Sequence, residues 1–237
     1  MAILGYSNSY LLSPGGGYYL GSYDPKPDPY NPLNLPPNTV RVRTSDGNPP
    51  PKVTPITYDT ATRVPGTTDV YDIYKSGKSF LNLLYGSVSG GSNVIEVLGA
   101  NTSGITNMDS MFLRCTALSA VPIFDTRSVT NMQQMFGHCS ALSSVPLFNT
   151  SGVISMYAMF DGCTSLTAVP LFDTTCAADM DYMFKNCYKV ESGALALYQQ
   201  ASTQVKPPHY HNSAFVNCGR DTVAGAAELA QIPSGWK

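Results

Sequence analysis

A chain of 237 residues with 13% charged side chains and a formal net charge of −2 carries no basic footprint for nucleic acid. Solubility rests on Ser, Thr, Asn and Gly, and no run approaches the roughly 20 apolar residues of a membrane-spanning helix. Met1 to Pro14 lacks the basic region and continuous apolar core of a secretory signal, so no signal peptide is expected.

Residues 1–38 form a compositional zone of their own. It contains Tyr6, Tyr10, Tyr18, Tyr19, Tyr23 and Tyr30, the run Gly15-Gly16-Gly17 and the alternating Pro25, Pro27 and Pro29. Proline fixes φ and removes a backbone donor, so the segment reads as an extended, non-globular arm that cannot build a core. One reading is a flexible linker. The other is an assembly anchor whose six tyrosines pack against a partner surface.

Residues 39–98 read as a β-rich N-terminal cap. Val40-Arg41-Val42-Arg43 alternates at period two, and Ser45 to Pro51 marks a turn. The stretch Lys78 to Gly86 predicts a two-turn helix ended by glycine, and Val94 to Leu98 predicts a strand. Val94 and Val97 stand one repeat length before Leu118 and Val121, which makes this region a degenerate first repeat.

Residues 99–187 repeat the pattern Met-x-x-Met-Phe-x-x-Cys-x-x-Leu-x-x-Val-Pro-x-Phe-Asp/Asn-Thr without a gap. Its Cys column is Cys115, Cys139, Cys163 and Cys187, evenly spaced. A constant period in this range signals a solenoid, in which each unit buries its apolar face against its neighbours. Met132, Met135, Phe136 and Cys139 at i, i+3, i+4 and i+7 predict a short helix, N-capped by Thr130 or Asn131. Leu142 to Val145 predicts a strand ended by Pro146 and stacked into a parallel sheet. The expected fold class is therefore an α/β solenoid of 24-residue leucine-rich-repeat units with short helices and a parallel sheet. Residues 188–237 read as its C-terminal cap. They hold a helix near 190–201, a degenerate copy of the repeat at Phe215 to Cys218, a last helix from Ala224 to Leu229, and Trp236 packed on the end.

The cysteine column points its side chains in parallel, which favours a ladder of reduced, buried thiols over disulfides. No Cys-x-x-Cys pair suggests zinc, and no metal or cofactor is expected. The histidines are His138, His209 and His211, with no carboxylate or cysteine cluster beside them in sequence. Gly15 to Gly17 lacks the Lys-Ser/Thr and helix of a phosphate loop, and the Ser-rich loops lack a Gly-x-Ser-x-Gly elbow. Asp125, Asn149 and Asp173 read as turn caps, with a repeated calcium site as the alternative. No enzyme activity is expected. A binding face should show residues that differ between repeats: Arg114, Arg127, Gln133, Gln134, His138, Tyr157, Asp161, Tyr182 and Lys185. The flatter positions Ser119, Ser143, Ser144 and Thr167 offer a second face, and the sequence does not choose between them.

The repeat, best copied in Met108 to Asn131 and Met132 to Ser155, resembles the BspA-like leucine-rich repeat. That resemblance implies a non-enzymatic surface protein used for adhesion. Short relatives of this kind look like products of bacteriophage or prophage genes. With no signal expected and an anchoring arm, the reading favours a virion structural or attachment protein. Its arm would dock on a capsid or tail assembly, and its repeats would engage a host-surface protein or glycan. The alternatives are a bacterial cell-surface adhesin and a structural cement with no external ligand.

Overall fold

The structure is a computed structural model that describes residues 28–52, 58–80, 82–84 and 92–237. Tyr6, Tyr10, Tyr18, Tyr19 and Tyr23 lie outside the described residues, and Tyr30 lies within them.

The period-two alternation at Val40 and Val42 becomes β1 (Thr39–Thr44), with both valines fully buried. β1 is a central strand of a four-stranded sheet ordered β2-β3-β1-β4, where β2 is Thr60–Arg63, β3 is Val70–Tyr74 and β4 is Val94–Asn101. Every pairing is antiparallel. The register places Arg41 opposite Asp72, and their side chains meet through Arg41 Nε and Asp72 Oδ1 at 2.6 Å. β4 is also the entry to the repeats, because its inner face joins the same apolar core.

The expected α/β solenoid with short helices and a parallel sheet is not what forms. Among the described residues the multi-stranded sheet is the antiparallel one, and the α-helices are α1 (Ala194–Ser202) and α2 (Val223–Gln231) in the C-terminal region. The repeats are built from turns. Adjacent repeats share isolated parallel bridges, such as Asn107 with Asn131 and Asn131 with Ser155, rather than parallel strands. The stretch predicted as a helix at 78–86 shows a bridge at Ser79 and a turn at 82–84 among its described residues.

Backbone geometry explains the missing helices. Each repeat holds a pair of left-handed residues at matching positions: Ser110 and Arg114, Gln134 and His138, Ala158 and Gly162, Tyr182 and Asn186, Ser213 and Asn217. A left-handed residue breaks a right-handed helix wherever it falls. Alternate amides then point along the stack instead of along the chain. The amides of Met108, Ser110, Phe112 and Arg114 donate to the carbonyls of Asn131, Gln133, Met135 and Gly137 in the next coil. Those of Met111, Leu113 and Cys115 close tight turns onto Met108, Ser110 and Phe112. The same alternation recurs through every coil to Asn186, whose amide donates to Val216. Asn131 does cap its turn, accepting from the Gln133 amide at 2.9 Å.

Side chains in one column stack on their copies. Phe112, Phe136, Phe160, Phe184 and Phe215 form a row of near-parallel rings with centroids 5.3, 5.5, 5.0 and 6.0 Å apart. Phe124, Phe148 and Phe172 form a second row against the first. The hydroxyls of Thr102, Thr126 and Thr150 each donate at 2.8 Å to a carbonyl of the following coil, at Asp125, Asn149 and Asp173. Gln204 donates to Thr174 Oγ1 and ends this row.

The C-terminal region covers the last layer. Cys218 follows Cys187 at a wider interval than the one between Cys163 and Cys187, with α1 lying in the longer connection. Gly193 precedes α1 at φ 94°, and a Cβ there would collide with the Val169 carbonyl oxygen, so only glycine fits. Thr222 caps α2 by accepting from the Gly225 amide. Trp236 is buried between Tyr198, Phe215 and His211, with the His211 ring stacked at 4.2 Å.

Two substitutions separate the core from the left-handed turns. Leu142 is fully buried between the equally buried Leu118 and Leu166, so Leu142→Ala should cost about 2–5 kcal/mol. Gln134 sits at φ 49°, so Gln134→Gly should relieve strain and raise stability by about 1 kcal/mol. Urea titrations should move the two midpoints in opposite directions. A lower midpoint for Gln134→Gly would put residue 134 in a right-handed turn.

Candidate binding surface

The left-handed turns decide which side chains face outward. Of the expected contact residues, all but Arg127 fall in neighbouring columns on this one turn face: Arg114, Gln133, Gln134, His138, Tyr157, Asp161, Tyr182 and Lys185. All are exposed or half-buried, while the Met, Phe and Cys columns beneath them are closed to solvent. The chemistry of the face changes along the stack. Its first coils present Arg114, Gln133, Gln134 and His138, and its later coils present aromatic and acidic groups.

In the later coils the side chains touch. The Tyr157 and Tyr182 rings meet edge to face at 5.7 Å, and Lys185 Nζ lies 4.7 Å from the centroid of the Tyr182 ring. The Asp161 carboxylate accepts from Asn186 Nδ2 at 3.3 Å, and Asn186 in turn accepts from Asn217 Nδ2 at 2.9 Å. Burial raises the Asp161 carboxyl, opposed by the nearby charges of His138 and Lys185. Burial also raises the Tyr157 hydroxyl, helped by Tyr182 and by the carboxylates of Asp179, Asp161 and Asp181. The result is a patch with two phenols, one ammonium, a carboxylate and an amide relay, able to hydrogen-bond and to stack.

Arg127 is elsewhere. It lies on a loop below the Phe124 row, with its guanidinium bidentate to Asp125 at 2.8 Å and set 5.2 Å from the Tyr30 ring centroid. The Arg127 pair holds the Asp125 carboxyl below its ordinary value. Asp125, Asn149 and Asp173 each accept the amide two residues on, which is the Asx turn expected of them. On the alternative face, Ser119, Ser143 and Thr167 use backbone and hydroxyl to join neighbouring coils: Ser119 to Ile95 and Thr167 to Ser143.

Tyr30 alone of the six arm tyrosines is described, and it is engaged within the chain. Leu35 nearby is buried, and Asn101 Nδ2 donates to its carbonyl at 2.8 Å. Sequence reasoning missed two surface features. One is the amide relay of Asn186 and Asn217, whose signal was asparagine in a column that demands positive φ. The other is a row of exposed apolar side chains, Ile123, Leu147 and Leu171, each placed between the Pro and Phe of its repeat. The core periodicity drew attention away from a column that is equally regular and points outward.

The thiols carry structure rather than reactivity. Cys115, Cys139, Cys163 and Cys187 donate from Sγ to the carbonyls of Leu84, Phe112, Phe136 and Phe160 in the preceding coil, at 3.0 to 3.1 Å. Burial pushes the Cys115 and Cys218 thiols up to about 12 and raises those of Cys139, Cys163 and Cys187 well above their ordinary value. Among the described residues, no group of three or more His, Cys, Asp or Glu is placed to hold a metal ion. No helix among them is long and apolar enough to cross a membrane.

Residues 84–197 match the family described as Mycoplasma protein of unknown function, DUF285. That family is associated with BspA-like repeat proteins. No curated protein and no solved structure matches the chain.

A thiol count tests the buried column. Of the six cysteines, Cys176 is exposed and the rest are buried. Ellman's reagent should therefore label one thiol rapidly in the native protein and the full set only in denaturant. Rapid labelling of the whole set under native conditions would contradict the ladder.

Proposed function

We propose that this chain is a non-enzymatic attachment protein of a virion. Its repeat stack is displayed for binding a host-surface protein or glycan, and its N-terminal arm docks on a capsid or tail assembly. The observation that supports this reading most is the separation between an invariant core and a drifting outer face. Met, Phe, Cys and Leu recur in every coil, while the turn face gathers Tyr157, Asp161, Tyr182 and Lys185 into one patch. Aromatic and amide groups held on a rigid scaffold contribute much of the energy of protein and glycan recognition at small cost in side-chain entropy. The paucity of charge argues against steering toward nucleic acid or anionic membrane.

A second reading, a bacterial cell-surface adhesin, draws support from the family match over residues 84–197 and the BspA-like repeat. Both readings use the same face. They differ in what carries the protein there.

Binding of the full-length protein to host cells tests the proposal. Replacing Tyr182 and Lys185 together with Ala should weaken binding about tenfold, a loss of roughly 1.4 kcal/mol. Ser143→Ala with Ser144→Ala, on the other face, should leave it unchanged. If the intact protein binds no cell surface and only joins an assembly, it is a structural cement.

A further inference from the structure

The later coils of the turn face hold negative charge that the chain does not neutralise. Burial raises the Tyr157 hydroxyl, and Tyr182 with the carboxylates of Asp179, Asp161 and Asp181 adds to the rise, which gathers three carboxylates around one phenol. All three are half-buried, and none takes part in an ion pair among the described residues. Each accepts from an amide instead: Asp161 from Asn186 Nδ2, Asp179 from the Asp181 backbone and Asp181 from the Asn212 backbone. An amide orients a carboxylate but leaves its net charge in place. Burial also raises the Asp179 carboxyl, and the Asp181 charge adds to that rise.

Lys185 is the ammonium of this patch, and it turns to a ring rather than to a carboxylate. Its Nζ lies 4.7 Å from the centroid of the Tyr182 ring, and Tyr182 meets Tyr157 edge to face. A cation over a ring face is held by the ring's quadrupole, and carboxylates nearby add to the attraction. The Lys185 backbone is fixed, its amide donating to Tyr182 and its carbonyl accepting from Gly162. Its stem is four flexible carbons, so the ammonium can swing off the ring while the coil stays in place. One movable ammonium thus stands against three carboxylates. The other cations of this face, Arg114 and His138, belong to earlier coils, and of these only His138 joins Lys185 in acting on Asp161.

We infer that Tyr157, Tyr182 and the carboxylates beside them receive a basic side chain, Lys or Arg, of a protein partner, and that Lys185 occupies its place in the free protein. The inference rests on the turn face being the binding face of the attachment reading, and it gives the partner a chemistry. A neutral sugar would stack on the rings but leave the carboxylates uncompensated, and an acidic partner would be repelled. A lysine or arginine brings what Lys185 brings, a cation on a long apolar stem, and an arginine adds a planar group that stacks on a phenol.

Calorimetric titration of the full-length protein with a hexalysine peptide tests this, with hexaglutamate and fully ε-acetylated hexalysine as controls. Hexalysine alone of the three should bind. Lys185→Ala should tighten that binding about threefold by removing the resident ammonium, and Tyr182→Ala should weaken it about tenfold. Asp161→Asn should weaken it, while Glu191→Gln, which removes an exposed charge elsewhere, should leave it unchanged. Equal melting temperatures show that the variants are folded. Failure of hexalysine to bind would overturn the inference, and so would weaker binding by Lys185→Ala, because Lys185 would then be a contact and not a stand-in. Host-cell binding that hexalysine does not compete for would overturn it while the attachment reading stood. Hexalysine binding with this pattern of variants, in a protein that binds no cell surface, would support it and count against the attachment reading alone.

Discussion

The alternation of backbone amides between two partners is the constraint on which this structure depends. In each coil one set of amides closes turns within the chain, and the interleaved set reaches the carbonyls of the next coil. The pair of left-handed residues in each repeat produces that alternation, because it turns every other amide along the stack axis. A buried amide must find an acceptor, so this arrangement is stable only when another coil lies beside it. A single repeat has no partner for half of its donors. The unit of stability is therefore the stack, closed by the antiparallel sheet at one end and by α1, α2 and Trp236 at the other.

Once coils are held at this spacing, each column must stack on itself. Flat phenylalanine rings fit this spacing face to face, with centroids 5.3 Å apart between Phe112 and Phe136 and 5.5 Å apart between Phe124 and Phe148, and two rows of them fill the interior. Small polar side chains serve where a carbonyl would otherwise be stranded. Threonine hydroxyls and cysteine thiols donate to backbone oxygens of adjacent coils, so buried polar atoms are satisfied in register with the repeat. Outward positions escape these demands. There the residues drift, and the turn face acquires the mixed aromatic, charged and amide character on which the attachment reading rests.

The period, the core columns and the C-terminal helices were legible in the sequence, because burial imposes a regular apolar pattern. Val40 and Val42 announced β1, and Phe215 to Cys218 announced the last coil despite its wider offset. The turn conformation was not legible from apolar spacing. Met132, Met135, Phe136 and Cys139 lie on one side of a tight left-handed arrangement as readily as on one side of a helix, so the spacing that suggested a helix is degenerate. The distinguishing signal lay in another column, where Gly162, Asn186 and Asn217 occupy a left-handed position that glycine and asparagine tolerate best. His138 and Arg114 in the same column masked it. The parallel sheet failed for a related reason: the chain around Leu142 and Val145 shares only sparse hydrogen bonds with its neighbours, such as Ser143 to Ser119, and no continuous ladder forms. Of the positions that vary between copies, Arg114, Gln133, Gln134, His138, Tyr157, Asp161, Tyr182 and Lys185 share the turn face, while Arg127 sits apart and pairs with Asp125 and Tyr30.

Amide hydrogen exchange measures the central constraint directly. The amides of Phe112, Phe136, Phe160 and Phe184 each donate to the next coil. If the coils form one cooperative stack, these amides exchange only through global unfolding and share one protection level with Val40 and Val42 of β1. Fast exchange at the phenylalanines, with protection confined to the antiparallel sheet, would show that the coils are not joined by these bonds.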